Sequence, residues 1–570
     1  MIIPFATTNF RNSSRVFGIK TADRRNHMYV VGKTGTGKTT LLRNMMISDI
    51  MAGNGVAVVD PHGEFAESIL DYVPENRIDD VVYFNPADLD FPIAFNAVEK
   101  VEANERHLVS SGLISIFKKI WADSWGPRLE YVLRNAILAL LEQPDSTLLG
   151  VMRILSDKEY RKKVVNNLTD PVVKQFWIEE FGKYSSKFEV EAVAPIQNKV
   201  GQFLTNPMIR NIVGQVKSSM RMRDIMDSKK ILIMNLSKGR IGEDSSALMG
   251  AMLITKIQQA AMSRIDIAEE DGREDFYLYV DEFQNFATES FAGILSEARK
   301  YHLDLILAHQ YITQLDETVR DAVLGNAGTL ITFRIGADDA EFFEKEFAPE
   351  IMALDLVNLP NRKIYLKLMI DGVTSKAFSA DTMPPIPKPA QSFKEEIIKR
   401  CRERYGTHRT DVEGGISTWS MPVEVSRGSY PPAPGGVTDQ RFDFPREATP
   451  VPNGTFGRAS KPEKPLFDAV CSSCGNPTKV PFEPDPKRKV YCKDCLPGIV
   501  KAKHEMATYK ASAVQAVRAE ALRPRKGPDL SGLREALNKS LEIAQANNSK
   551  NALKKELQEQ NMKMEDITKF

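Results

Sequence analysis

The sequence predicts an α/β fold, and three observations carry that expectation. Short apolar runs rich in Val and Ile recur as far as residue 370. Helical patterns lie between many of them. A glycine-rich segment, GKTGTGKT at 32–39, joins the first run to the first helix. Strands covered on both faces read as nearly continuous apolar runs, and alternation of strand with helix argues for a parallel sheet flanked by helices.

Taken in order, strands are expected at 27–32 (HMYVVG), 55–60 (GVAVVD), 81–85 (VVYFN), 230–237 (KILIMNLS), 277–282 (YLYVDE), 303–310 (LDLILAHQ), 328–335 (GTLITFRI) and 364–370 (IYLKLMI). Helices are expected at 39–51 and 246–264. Between 99 and 227 nearly all periodicity is helical, as in RLEYVLRNAILALL at 128–141. This reads as an all-α insertion that splits the α/β core into 1–98 and 228–381, or as an enlarged crossover. From 382 the character changes. TMPPIPKP opens a segment, 382–466, with a short basic helix near 393–405. Its remainder, 410–465, is rich in Pro, Gly, Ser and charge and is expected to be a mostly disordered linker. A compact cysteine module at 467–498 and a charged helical tail at 499–570 complete the chain. No internal repeat is visible.

Composition sets the class. The chain has 570 residues, 42% apolar and 26% charged, as a globular protein of about three or four domains does. Its 76 basic and 75 acidic residues leave a net charge of +1, so contact with nucleic acid would need local patches. No apolar run of about 18 residues predicts a membrane span, and the N-terminus does not read as a signal peptide. The cytoplasm is the expected compartment.

The segment 32–39 matches G-x-x-x-x-G-K-[ST] between a strand and a helix. Its backbone can curl so that successive N–H groups face phosphate oxygens, and the helix N-terminus adds partial positive charge. Gly32, Thr34, Gly35, Thr36, Gly37, Lys38, Thr39 and Thr40 are therefore the expected nucleotide cradle. Lys38 is expected to bridge the β- and γ-phosphates of ATP, and Thr39 to hold Mg²⁺. The run YLYVDE ends in two carboxylates. Asp281 is placed to reach Mg²⁺, and Glu282 to orient or deprotonate an attacking water. Gln310 ends the strand 303–310, where its amide could sense the γ-phosphate. Asp60 and Glu64 follow the second strand and read equally as neighbours of the metal or as a strand-end turn.

Several phrases together resemble the HerA–FtsK superfamily of ATPases, nearest its type IV secretion coupling-protein (TraD/TraG-like) branch. These are the glycine-rich loop, VVDPHGE at 58–64, WGPR at 125–128, DEFQNF at 281–286, AHQ at 308–310 and FRIG at 333–336. The resemblance covers about 20–380. It implies a RecA-like motor core that assembles as a hexameric ring and moves DNA, or a protein–DNA substrate, with a neighbour's arginine completing each ATP site. By position Arg299, eleven residues before Gln310, is the expected arginine finger, with Arg334 and Arg240 as runners-up. Family members begin with membrane helices or a small β-barrel. Here about 26 residues precede the first expected strand, which suggests a motor without its own membrane anchor.

Cys471-x-x-Cys474 and Cys492-x-x-Cys495, seventeen residues apart, form a zinc-ribbon pattern. Four thiolates make a closed structural Zn²⁺ site, and two disulfides are the alternative. Cys401 stands alone. Basic clusters at 487–489 and 523–526 could touch phosphates but read first as solvated faces, and 533–544 and 553–567 are amphipathic. The expected function is an ATP-driven DNA translocase. The alternatives are a nucleotide-dependent scaffold or a protein-secretion ATPase, with the zinc module recruiting a partner.

Overall fold

The computed structural model describes residues 1–10, 14–268, 272–421, 467–480, 490, 492, 493 and 495. The expected linker beyond 421, the basic clusters and the tail lie outside the described residues.

Seven strands form the parallel centre of an eleven-stranded sheet. They are β3 (Met28–Val31), β4 (Gly55–Asp60), β5 (Val81–Phe84), β6 (Ile231–Asn235), β7 (Phe276–Val280), β8 (Leu303–His309) and β9 (Thr329–Thr332). Their spatial order is β9-β3-β8-β7-β4-β6-β5. Alternate residues of each central strand serve opposite faces. In β7, Phe276, Leu278 and Val280 join one core cluster, and Tyr277 and Tyr279 join the other. Both faces are apolar, which is why the pattern reads as continuous rather than alternating.

The helix Lys38–Met51 covers one face, burying Leu41, Leu42, Met45, Met46, Ile47 and Ile50. Its far end is pinned by an ion pair. Arg24 donates to both Asp49 carboxylate oxygens at 2.7 and 2.8 Å, and both side chains are fully buried. The other face is covered by the helix Glu243–Ser263 and by the helices between β5 and β6. Those helices run from Arg106–Ile120 to Met222–Asp227, with no strand among them.

Three expectations need correction. The first 26 residues are not a bare lead-in. They form β1 (Ile2–Thr8) and β2 (Val16–Lys20), an antiparallel pair at the sheet edge. β1 pairs with β13 (Phe378–Thr382), and β13 pairs with β10 (Lys363–Lys367), which lies antiparallel to β9. These partners are some 370 residues apart in sequence, so no local pattern announces them. The run 364–370 is also divided. It holds β10 and then β11 (Met369–Ile370), which forms its own hairpin with β12 (Val373–Thr374).

The segment after 381 is the third. Residues 383–386 lie along the core, where Asn44 Nδ2 donates to the Pro384 carbonyl at 2.8 Å and Tyr72 donates to the Ile386 carbonyl at 3.0 Å. The basic helix, Lys394–Tyr405, buries Ile397 and Cys401 against this face. The start of the expected linker is a helix, Arg409–Ser420. Its paired glycines and hydroxyl residues weaken the local signal. Packing of buried Val412, and a Trp419 Nε1 bond of 2.8 Å to the Asp145 carbonyl, hold it on the helical segment.

Candidate functional site

Local sequence first places the loop. Gly35 and Gly37 adopt φ of 76° and 124°, which the loop needs for its curl and side-chain-bearing residues rarely adopt. Phe333, just past β9, lies beneath it, and a Cβ on Gly32 would stand 2.5 Å from that of Phe333. Backbone N–H groups of Gly32 and Lys33 are tied to the carbonyls of His309 and Arg334 at 3.2 and 2.8 Å. The Thr36 hydroxyl donates to the Lys33 carbonyl at 2.7 Å. Thr34 and Gly35 are exposed at the tip of the loop, and Thr40 lies in the first turn of the following helix.

Strand order then gathers the polar groups. β8 lies between β3, which leads into the loop, and β7, which is followed by Asp281 and Glu282. The C-terminal ends of these parallel strands therefore bring together residues from three distant stretches. Thr39 Oγ1 donates to Asp281 Oδ2 at 3.0 Å. Lys38 Nζ, mostly buried, donates to the Gly32 carbonyl at 2.6 Å. Burial pushes its pKa below the usual lysine range, against the pull of Glu282 and Asp281. Asp281 is pushed up to about 6, first by burial and then by Glu282 and Asp60. A hydroxyl and a carboxylate oxygen side by side are the hard donors that Mg²⁺ takes in phosphate sites, with water and phosphate completing its shell.

Glu282 has left-handed backbone angles, φ 49° and ψ 52°, which turn the chain sharply as it leaves the strand. Its carboxylate is held on both oxygens. Gln310 Nε2 donates to Oε1 and Gln284 Nε2 donates to Oε2, each at 2.6 Å. Gln284 lies within the DEFQNF phrase but had no expected role. An amide two residues after a carboxylate at a strand end was the available signal, and only the turn at 283–285 brings it back onto Glu282.

Asp60 is a turn former. Its oxygens accept from His62 N at 2.8 Å and Ala66 N at 2.9 Å. The neighbouring His309 is buried, with Nδ1 2.8 Å from the Tyr29 hydroxyl, and burial pulls it down to about 3. The three arginines are placed differently. Arg334 follows β9 beside the loop and donates to Asn361 Oδ1 at 3.0 Å. Arg240 pairs with Glu67 at 2.9 Å. Arg299 precedes β8, at the opposite end of the sheet from Gln310. It is exposed and makes no ion pair among the described residues.

The four cysteines form a separate cluster. Their sulfurs lie within 4.8 Å of one another, and all four are free thiols. Cys474 and Cys492 sulfurs are 3.8 Å apart. That is far beyond a disulfide bond and matches the edge of a tetrahedron with metal–sulfur bonds of about 2.3 Å. The knuckle is built by Gly475 (φ 76°) and the 2.9 Å bond from its N–H to the Cys471 carbonyl. β14 (Phe467–Val470) and β15 (Pro477–Val480) flank it as a hairpin.

Fold and site define a P-loop nucleotide-binding protein with a RecA-like α/β core and a four-cysteine module. A family model described as the type IV secretion-system coupling protein DNA-binding domain matches residues 15–347, more than half of the chain, and the chain belongs to that family. A second model, a probable treble clef zinc finger, matches 464–498. Among solved structures, the chain is similar to plasmid coupling protein TrwB in complex with a non-hydrolysable GTP analogue. The identity is 16% over 66% of this chain and 89% of that one, with a TM-score of 0.48. It is also similar to VirB4 of Thermoanaerobacter pseudethanolicus, at 15% identity over 67% and 96% with a TM-score of 0.47. No curated protein sequence matches. Among the described residues no helix is long and apolar enough to cross a membrane.

Proposed function

We propose that this protein is an ATP-hydrolysing motor of the type IV secretion and conjugation kind, which moves DNA in the cytoplasm as a hexameric ring. The observation that carries the reading is the Glu282 carboxylate, fixed by Gln310 beside the Thr39–Asp281 pair. Thr39 and Asp281 would hold Mg²⁺, which when bound would neutralise charge on the β- and γ-phosphates. Lys38 and the loop N–H groups orient those phosphates. Glu282 then takes the proton of a water aligned on the γ-phosphorus, and Gln310 senses that phosphate.

The placement of Arg299 supports a ring. β8 has seven residues, so Arg299 and Gln310 stand about 20 Å apart at its two ends. Arg299 cannot reach its own subunit's phosphates, but a neighbour's site facing this end could receive it as a finger. Arg334 and Arg240 already have partners in their own chain. The family's DNA-binding description supports DNA as cargo. The sulfur geometry supports a structural Zn²⁺ on Cys471, Cys474, Cys492 and Cys495.

The test is steady-state ATP hydrolysis with and without DNA, beside Glu282→Gln. DNA-stimulated turnover that falls at least about 100-fold in the variant is expected for loss of a catalytic base. Slow, DNA-independent turnover equal in both proteins would favour a nucleotide-dependent scaffold.

A further inference from the structure

The two amides that hold Glu282 are mounted on different parts of the molecule. Gln310 immediately follows β8, in the middle of the sheet. Gln284 belongs to the short turn Phe283–Asn285, outside the sheet. That turn is fixed from two sides. Lys238 Nζ donates to Asn285 Oδ1 at 2.7 Å, and Asn285 Nδ2 donates to the Glu282 carbonyl at 2.8 Å. From the other side comes Lys119, in the last turn of the helix Arg106–Ile120. Its Nζ donates to the Gln284 carbonyl at 3.0 Å and to the Ala287 carbonyl.

Like Lys38, Lys119 gives its ammonium to main-chain carbonyls. It is partly buried, and among the described residues it makes no ion pair. Its ammonium is given to two main-chain carbonyls of one turn, so it fixes the path of that turn rather than neutralising an acid. The next residue along the same edge, Lys118, makes an ordinary exposed pair with Glu289 at 3.2 Å. A cleft of about 550 Å³ opens at this junction, lined by Lys119, Trp125, Gln284 and Asp316 among others. The turn therefore has room to shift if Lys119 lets go. Gln284 Oε1 is buried without a hydrogen-bond partner, so the bond from its Nε2 to Glu282 is what orients this amide.

With both oxygens engaged, the Glu282 carboxylate is held in one orientation and cannot turn toward a water while Gln284 keeps its hold. We infer that Lys119 is a positioning residue that restrains Glu282 through Gln284, so that the helical segment between β5 and β6 controls hydrolysis while Gln310 answers to the phosphate. This deepens the proposed ATPase reading and rests on Glu282 being the base. Any ligand that moves the helix Arg106–Ile120 on the sheet would slacken the Gln284 arm and free one carboxylate oxygen.

The experiment is DNA-free ATP turnover of the full chain carrying Lys119→Met, Gln284→Met or both, each also in the Glu282→Gln background. Each single variant is expected to raise kcat on the order of tenfold, the rate equivalent of about 1.4 kcal/mol, with KM within about twofold. The double variant should not exceed the larger single effect, because the two act in series. Lys119→Arg, which keeps the donors, should stay near the parent rate. If Lys119→Met fails to fold, Gln284→Met and Lys119→Arg decide alone. Unchanged or lowered kcat in correctly folded Gln284→Met, or additive effects in the double variant, would overturn the inference. Equal turnover of the parent and Glu282→Gln would instead overturn the catalytic reading beneath it.

Discussion

The sheet and the cysteine module hold their shapes by opposite means. In the sheet, every residue of β3, β4, β7 and β8 is buried, and two apolar clusters sandwich them. In the module, the buried described residues are Cys471, Val480 and Val490. Burial at about 25 cal/mol per Å² can stabilise the first many times over but not the second. An element with so few buried described residues is expected to draw stability from a metal on its four thiols, whereas a large buried sheet can carry a costly buried carboxylate, such as Asp281, at the end of a strand.

The sharpest way to break the comparison is to remove the metal. Chelation at neutral pH should unfold the module, whose folding depends on a binding free energy of about 10 kcal/mol or more, and leave the sheet's thermal transition in place. Calorimetry read beside zinc content checks it; loss of both transitions together would merge the two regions. Next in size is Arg24→Met. It strands the buried Asp49 carboxylate and should destabilise the core by about 3–5 kcal/mol, with zinc content unchanged.

Acid tests the core through His27. Its Nδ1 accepts from Leu305 N at 3.2 Å and its Nε2 lies 3.1 Å from the Leu295 carbonyl, so the neutral ring with the proton on Nε2 fits. Burial holds its pKa down at about 4. An unfolded histidine titrates near 6.5, so the folded state binds the proton less readily. The stabilisation is complete above about 6.5 and is lost as pH falls through 4, to a total on the order of 3 kcal/mol. His27→Gln should flatten that part of the denaturant-midpoint profile between pH 7 and 4. The smallest expected effect is Glu289→Ala at the exposed pair with Lys118, within about 0.5 kcal/mol of the parent in urea unfolding.

Much of the site could be read without coordinates because its parts are local. The curl at Gly35 and Gly37, the Thr39 that follows, and the carboxylates after β7 each need only a few adjacent residues. The cysteine pairs are likewise local, since each lies within four residues of sequence. What escaped reading is non-local or weakly patterned. β1 and β2 pair with each other, and β1 is joined to the sheet by a strand some 370 residues later in the chain. The helix Arg409–Ser420 depends on Trp419 and Val412 meeting a distant surface. Gln284 stood in plain view, but its role depends on a left-handed Glu282 that turns the chain back on itself.

Sequence alone determined the parallel centre, the phosphate loop and the two close cysteine pairs, because continuous apolar runs, glycine spacing and cysteine spacing act over short stretches of chain. Only the tertiary structure decided that β8 inserts between β3 and β7, that two amides from different elements converge on Glu282, that Arg299 lies at the other end of the sheet, and that Lys119 reaches the turn beside the site. Those are consequences of strand order and helix packing, and they depend on burial summed over the whole core, which no short window of sequence contains.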